Sequence, residues 1–78
     1  MNWREHIHSD PNILAGKPVI RGTRISVELI LERLSDGWGE EELLRSYPHL
    51  KQAHIRAALA FAVDMITDEA LIARSRAA

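Results

Sequence analysis

The chain has 78 residues, a formal net charge of −1, 46% hydrophobic side chains and no cysteine. This length makes one small domain with a limited core, and the lack of cysteine excludes disulfides, thiolate catalysis and cysteine-ligated zinc. The near-zero charge argues against a protein that coats nucleic acid through bulk electrostatics, and no apolar run reaches the ~18 residues that span a bilayer. Because the first residues are polar and unlike a secretory signal, we expect a cytoplasmic location and no membrane partner.

Residues 1–25 are predicted to form an extended basic arm. A turn is indicated at Ser9–Asn12, and the β-branched residues after it predict two short strands, with Ile13–Leu14 pairing with Val19–Ile20. Strands of two or three residues are not stable alone. The arm therefore needs a cover, either the chain's own helices or the arm of a second copy, and the second possibility predicts a homodimer or higher homo-oligomer.

The stretch "GKPVIRGTRIS", residues 16–26, places three cations within eight positions of one another: Lys17, Arg21 and Arg24. If Gly22–Thr23 are the central residues of a type II′ turn, Arg21 and Arg24 lie directly opposite each other. Like charges in this position destabilise a strand pair, so the pattern indicates a nearby phosphate, a carboxylate of this chain or an acidic partner. The alternative is two arginines that simply extend into solvent.

From Ser26 onwards the apolar residues follow a helical period. The first helix is predicted to begin after Ser26, which caps its N-terminus, and to end at Gly37 in a left-handed conformation. Its inward face has the spacing i, i+3, i+4 and i+7, shared by Val27, Ile30, Leu31 and Leu34. A second helix is predicted from about Gly39, with glutamates in its first turn, to Tyr47–Pro48.

A third and longest helix is predicted from about residue 51 to residue 66. We expect its core stripe to be Ile55, Leu59, Ala62 and Ile66, widened by Phe61 and Met65. The following residues, from Thr67, either continue this helix or cap a short fourth one.

Together these elements predict a single, mainly α domain: a three-helix, homeodomain-like helix-turn-helix domain preceded by a short β-hairpin arm. The arm covers residues 1–25, the helical bundle residues 26–66, and a helical extension or tail residues 67–78. Three helices with short connections, the third free to project its first residues, are typical of helix-turn-helix proteins. Many three-helix domains nevertheless bind no DNA.

The third helix carries a candidate DNA-binding face. Gln52, Arg56 and Ala60 follow one another at i, i+4 and i+8, which places a donor, a cation and a small residue on one side. Such a face can approach a groove and reach base edges or phosphates. The candidate binding residues for DNA or a partner are therefore Lys17, Arg21, Arg24, Lys51, Gln52 and Arg56. An ordinary solvated helix flank is the alternative.

Catalytic and metal-binding patterns are weak. His6 and His8 with Asp10 offer alternating ligands but lack a further donor at metal spacing. The sequence shows no nucleophile–histidine–acid pattern and no glycine-rich phosphate loop. We therefore expect no enzyme activity, no catalytic residue, no metal and no cofactor.

With these features in place, the segment from Asp10 to Ala62 resembles the domain of unknown function 433 family. The shared features are an Asp-Pro, a dense motif, a helix ending in glycine, Tyr-Pro and an alanine-rich helix: Asp10-Pro11, Gly16-Lys17-Pro18, Ile20, Gly22-Thr23-Arg24-Ile25, Gly37, Tyr47-Pro48 and Ile55. The chain departs from the family at three helix starts, with Ser26 in place of proline, and Gly39 and Lys51 in place of hydroxyl caps.

The resemblance implies a homeodomain-like helix-turn-helix domain behind a β arm. Family members resemble antitoxins that are encoded beside a PIN-like ribonuclease in bacteria, and no catalytic residues are agreed for them. The resulting hypothesis is a DNA-binding antitoxin that regulates its own gene, with double-stranded DNA and a PIN-like ribonuclease toxin as partners. A toxin-capping or oligomeric interaction module without DNA binding is the alternative.

Overall fold

The structure, a computed structural model, describes residues 1–67. The predicted C-terminal extension, residues 67–78, and the question of a fourth helix therefore lie outside the described residues, except for Thr67, which caps the third helix. Within residues 1–67 the chain forms a two-stranded antiparallel hairpin and three helices, which confirms the predicted fold class. None of these helices is long and apolar enough to cross a membrane.

The three helices follow the predicted order, and the arm contains elements that were not predicted. A 3₁₀ turn at Trp3–Glu5 precedes strand β1 (Ile7–His8), and a second turn at Leu14–Gly16 precedes strand β2 (Val19–Ile20). The helices are α1 (Val27–Ser35), α2 (Glu40–Ser46) and α3 (Gln52–Ile66).

The hairpin pairs a different strand from the one predicted. β1 lies antiparallel to β2, with Ile7 opposite Ile20, so the expectation that Ile13–Leu14 would be the partner is wrong. Leu14 and Ala15 have φ angles of 47° and 55°, which turn the backbone into the left-handed region. A strand requires extended backbone, so this segment reverses the chain between β1 and β2 instead of pairing.

The turn after β2 begins one residue earlier than predicted. The amide of Thr23 donates to the carbonyl of Ile20 at 3.1 Å, so Gly22, with φ of 78°, is the second central residue and not the first. The second central position of a type II turn requires a positive φ, which favours glycine or asparagine. Ile20 still faces Ile25, whose carbonyl accepts from the Ile20 amide at 2.9 Å.

Both predicted ends of α1 are confirmed. The Ser26 hydroxyl accepts from the Leu29 amide at 3.0 Å and satisfies one of the free donors at the helix start. At the other end Gly37 has φ of 94°, and its amide donates to the carbonyl of Leu34. The Trp38 amide donates to Arg33, so the last carbonyls of α1 have partners.

The core lies where β2, α1, α2 and the first half of α3 meet. Its buried members are Ile7, Ile20, Val27, Ile30, Leu43, Leu50, Ile55, Ala57 and Ala58. The predicted core stripe of α3 is correct at Ile55 but wrong at Leu59 and Ile66, which are 46% and 55% exposed. Met65, predicted to widen the stripe, is exposed as well. The second half of α3 carries apolar residues on most of its sides. Their spacing alone therefore does not identify which side is buried.

Candidate nucleic-acid interface

The start of α3 presents the two side chains with the strongest potential to contact bases. Gln52 and Arg56 are both exposed, one helical turn apart, and neither forms a hydrogen bond or ion pair within residues 1–67. Ala60, the third member of the predicted face, is half-buried. The structure therefore places Gln52 and Arg56 together, as the spacing predicted, with their polar groups available to a ligand.

The N-terminus of α3 is capped in an unusual way. Lys51 has extended backbone, and its amide donates to Nδ1 of His54 at 3.0 Å. The imidazole therefore does what an acidic or amide side chain does at this position in an ordinary capping box. This contact satisfies the amide of Lys51 itself, and the bond that a hydroxyl cap would accept from the first turn is absent, in line with the departure from the family pattern at Lys51.

Burial and charge both act on the protonation of this cap. Desolvation lowers the pKa of His54, and the nearby His6 and Lys51 lower it further. The His6 ring lies edge-on to the His54 ring, with 5.6 Å between centroids. His54 is therefore held in the neutral form at neutral pH, which keeps Nδ1 available as an acceptor.

We expect this cap to make stability depend on pH. Because the folded-state pKa of His54 is below its unfolded value of 6.5, the unfolded chain binds more protons as the pH falls through that value. Stability should therefore decrease as the pH falls below about 6.5. The urea midpoint of the wild type should fall between pH 7.5 and pH 5.5 by more than that of His54→Gln, which accepts the same bond without titrating. Equal decreases in the two proteins would contradict this account.

The arm cations have different environments. Lys17 Nζ lies 3.3 Å from Glu28 Oε1, the only ion pair among residues 1–67, and both side chains are more than half exposed. Arg21 donates from Nε and Nη2 to the carbonyl of Arg4 at 3.4 and 3.2 Å. Arg24 is exposed and forms no hydrogen bond or ion pair within that range. The acid expected near Arg21 and Arg24 lies instead beside Lys17, and neither arginine has a carboxylate partner within residues 1–67.

The six candidate residues fall into three groups and do not form one patch through direct contacts. Lys17 and Arg24 line a shallow depression beside Glu28 at the start of α1. Arg21 lies against the Trp3–Glu5 turn, and Lys51, Gln52 and Arg56 lie at the start of α3. In the last group Gln52 and Arg56 share a helix face, and Lys51 is the cap residue that precedes them.

The sequence analysis missed the contact that joins the first residues to α3. The Trp3 ring packs edge-on against Phe61, with 4.8 Å between centroids and an angle of 80°. Its Nε1 donates to Asp64 Oδ2 at 2.6 Å, and the Arg4 guanidinium lies 4.4 Å from the ring centroid. No local pattern relates positions so far apart in the chain, although an isolated tryptophan near a terminus was a signal for a packing role.

A second aromatic cluster holds the connection between α1 and α2. Trp38 stacks on Tyr47 at 6.4 Å, and the Arg33 guanidinium lies 5.2 Å from the Trp38 centroid. The hydrogen bond to the Tyr47 hydroxyl raises the pKa of Arg33. The cluster joins the last turn of α1 to Tyr47, the C-cap residue of α2.

No group of three or more potential metal ligands occurs among residues 1–67. Nε2 of His8 is buried without a hydrogen-bond partner in this part of the chain, but His8 belongs to no such group there.

The comparison with known proteins agrees with the sequence motif. The family model described as "Protein of unknown function (DUF433)" matches residues 7–62, most of the 78-residue chain. The chain belongs to the DUF433 family. Its fold is similar to the crystal structure of a DUF433 member protein from Anabaena variabilis ATCC 29413, with a TM-score of 0.72 and 29% identity. The similarity covers 92% of this chain and 68% of the other.

A curated relative is much longer than this chain. "Uncharacterized protein y4eO" of Sinorhizobium fredii (strain NBRC 101917 / NGR234) is 39% identical over 59 residues, which are 76% of this chain and 27% of that protein. The chain therefore spans about a quarter of the length of this relative.

Proposed function

We propose that this DUF433 protein is a small bacterial DNA-binding antitoxin that regulates its own gene and neutralises a PIN-like ribonuclease. The observation that supports DNA binding is the pair of exposed, unengaged side chains, Gln52 and Arg56, on the first turns of α3. The antitoxin role and the nuclease partner are supported by the family resemblance.

The chemistry of this pair suits the major groove. Arginine donates two hydrogen bonds to guanine, and glutamine both donates to and accepts from adenine. Beyond Arg56 the exposed side of α3 changes to Leu59 and Val63, which are 46% and 57% exposed. Base contacts are therefore limited to the first two turns, and one copy reads only a short sequence. Two copies on neighbouring half-sites would give a site of ordinary length.

The acidic first turn of α2 limits how DNA can approach. Glu40, Glu41 and Glu42 fill this turn, and Glu41 is exposed. Carboxylates repel phosphates, so α2 must point its N-terminus away from the backbone while α3 enters the groove. The cations of the arm, Arg21 and Arg24, would then supply the sequence-independent phosphate contacts.

We expect binding to DNA from upstream of the protein's own gene to weaken steeply with salt, because each phosphate contact adds nearly one to the log–log slope. Replacing Arg21 and Arg24 together by alanine should weaken binding to all sequences equally and flatten the slope by up to about two units. Replacing Gln52 or Arg56 by alanine should instead relax the preference at particular base pairs by about 1–3 kcal/mol. Fluorescence anisotropy at several salt concentrations measures both effects.

Charge-conserving variants are the matched controls. Arg56→Lys keeps the charge but loses the planar, two-pronged donor, so base preference should fall while the salt slope is unchanged. The double lysine variant of Arg21 and Arg24 should bind like the wild type. If the wild type does not bind DNA at low salt, the DNA-binding part of this proposal fails.

A second candidate function is a toxin-capping or assembly module without DNA binding. The observation that favours it is the exposed apolar stripe on the second half of α3, formed by Leu59, Val63 and Ile66. Apolar residues grouped in this way are typical of protein contacts, either with a second copy or with a nuclease. Sedimentation of the purified protein at micromolar concentration would show whether a homodimer forms.

A further inference from the structure

An open apolar cleft lies on the side of α1 that faces the loop before β2. Its volume is about 480 Å³, and its apolar walls are formed by Pro18, Val27, Leu31 and Phe61. Phe61 comes from α3, so the cleft spans two helices and the arm. No residue of the α3 start lines it, so the cleft is distinct from the candidate DNA-binding face.

Acidic side chains follow one edge of this cleft. Glu28 and Glu32 line the cleft, and Asp36 follows them just beyond its lining. All three are exposed and succeed one another at i, i+4 and i+8, over about 12 Å of helix. We call these three residues the acidic ridge. Among residues 1–67, Lys17 is the one cation that lines the cleft, and it pairs with Glu28. Glu32 and Asp36 form no ion pair within residues 1–67.

Helix stability does not explain the whole of the acidic ridge. An acid in the first turn, as at Glu28, interacts favourably with the helix dipole. Asp36 is the C-cap residue of α1, where the dipole disfavours a negative charge. Acids that continue to the unfavourable end of the helix, beside an exposed apolar cleft, indicate a surface that a cationic partner covers.

We propose that the cleft and the acidic ridge together bind a basic amphipathic helix of another polypeptide. A bulky apolar side chain of that helix occupies the cleft, between Leu31 and Phe61, and an arginine or lysine one turn away pairs with Glu32. This is the helix-in-groove mode of recognition, with charge complementarity along the rim. A small molecule in the cleft would leave most of the acidic ridge uncovered. The inference does not depend on DNA binding by α3, because Lys51, Gln52 and Arg56 do not line the cleft.

The test uses the whole protein, labelled with ¹⁵N and ¹³C, and two synthetic helical peptides. The first carries leucines at i and i+4 with arginines on the flank, and the second has each arginine replaced by glutamate. The basic peptide should shift the methyl signals of Val27 and Leu31 and the ring signals of Phe61. The acidic peptide should not. Equal binding of both peptides, or no shift with either, would overturn the proposal.

Two charge-reversal variants test whether the basic peptide binds the acidic ridge specifically or is attracted by any exposed glutamate. Glu32→Lys should weaken binding of the basic peptide by about tenfold or more, because it sets like charges against each other. Glu41→Lys, an equally exposed glutamate on α2, should leave binding unchanged. Equal effects of the two variants would refute a specific site. If the basic peptide shifted the signals of Leu59 and Val63 instead of the cleft, the cleft would not be the peptide's binding site. If diluting the free protein changed the cleft signals in the same way as the peptide does, the cleft would bind a second copy of this chain.

Discussion

Replacing Leu43 by alanine is expected to lower the free energy of unfolding by about 2–5 kcal/mol, because the side chain is completely buried and alanine leaves a cavity. Leu43 is the buried residue of α2 and belongs to the core cluster that includes Ile30 and Ile55. Small domains have a total stability of only about 5–15 kcal/mol, so the expected loss is a large part of the total. Urea denaturation followed by circular dichroism measures the loss.

Leu59→Ala is the matched control, since it removes the same atoms from a side chain that is 46% exposed. Its cost should be below about 1 kcal/mol, because little apolar surface returns to water and the neighbours can relax. A loss of stability at Leu59 as large as the loss at Leu43 would mean that Leu59 is buried in solution, against another part of the chain or a second copy.

Replacing Trp3 by alanine is expected to cost about 2–3 kcal/mol, somewhat less than for a fully buried aromatic side chain. The indole packs on Phe61, donates to Asp64 and carries the Arg4 guanidinium on its face. Its removal also frees the Trp3–Glu5 turn from α3, so the β1–β2 pair should open more easily. Hydrogen exchange of the Arg21 amide, which donates to the His6 carbonyl at 2.8 Å, reports on that opening.

Trp3→Phe separates packing from hydrogen bonding. Phenylalanine keeps a ring against Phe61 but has no donor for Asp64, so it should cost only about 0.5–1.5 kcal/mol. If Trp3→Ala and Trp3→Phe were equally stable, the edge-on ring contact would contribute nothing, and the loss would come from the hydrogen bond to Asp64.

The helices were predictable because their signals are local. Ser26 and Gly37 have fixed chemical reasons to be at the two ends of α1, and the structure uses both in the predicted way. Tyr47–Pro48 stops α2 where expected, since the residue before a proline avoids helical backbone.

The pairing of β1 with β2 was not predictable in the same way. Ile7 and Ile20 are joined across a long connection, and a strand of two residues has no period to detect. The left-handed backbone at Leu14 and Ala15 adds a second difficulty, because such residues rarely adopt it. Tertiary contacts outweigh the local β preference of this segment.

In the candidate site, too, the local features could be predicted from the sequence and the contacts between distant residues could not. The one-turn spacing of Gln52 and Arg56 follows from helix geometry and was predicted. The partners of the arm cations were not, since nothing local places Glu28 beside Lys17 or the Arg4 carbonyl beside Arg21. The cap that His54 provides was also unexpected, because histidine replaces the residue types usual at this position.

The most direct test of the central claim, that the start of α3 binds DNA, is a nuclear magnetic resonance titration of the labelled protein with duplex DNA from upstream of its own gene at low salt. The account predicts that the largest shifts occur at the amides of Lys51 and Arg56 and at the side-chain amide of Gln52. Val63 and Ile66 should stay unchanged, because they lie beyond the polar turns of α3. Saturating DNA that shifts no signal in the first two turns of α3 would contradict it.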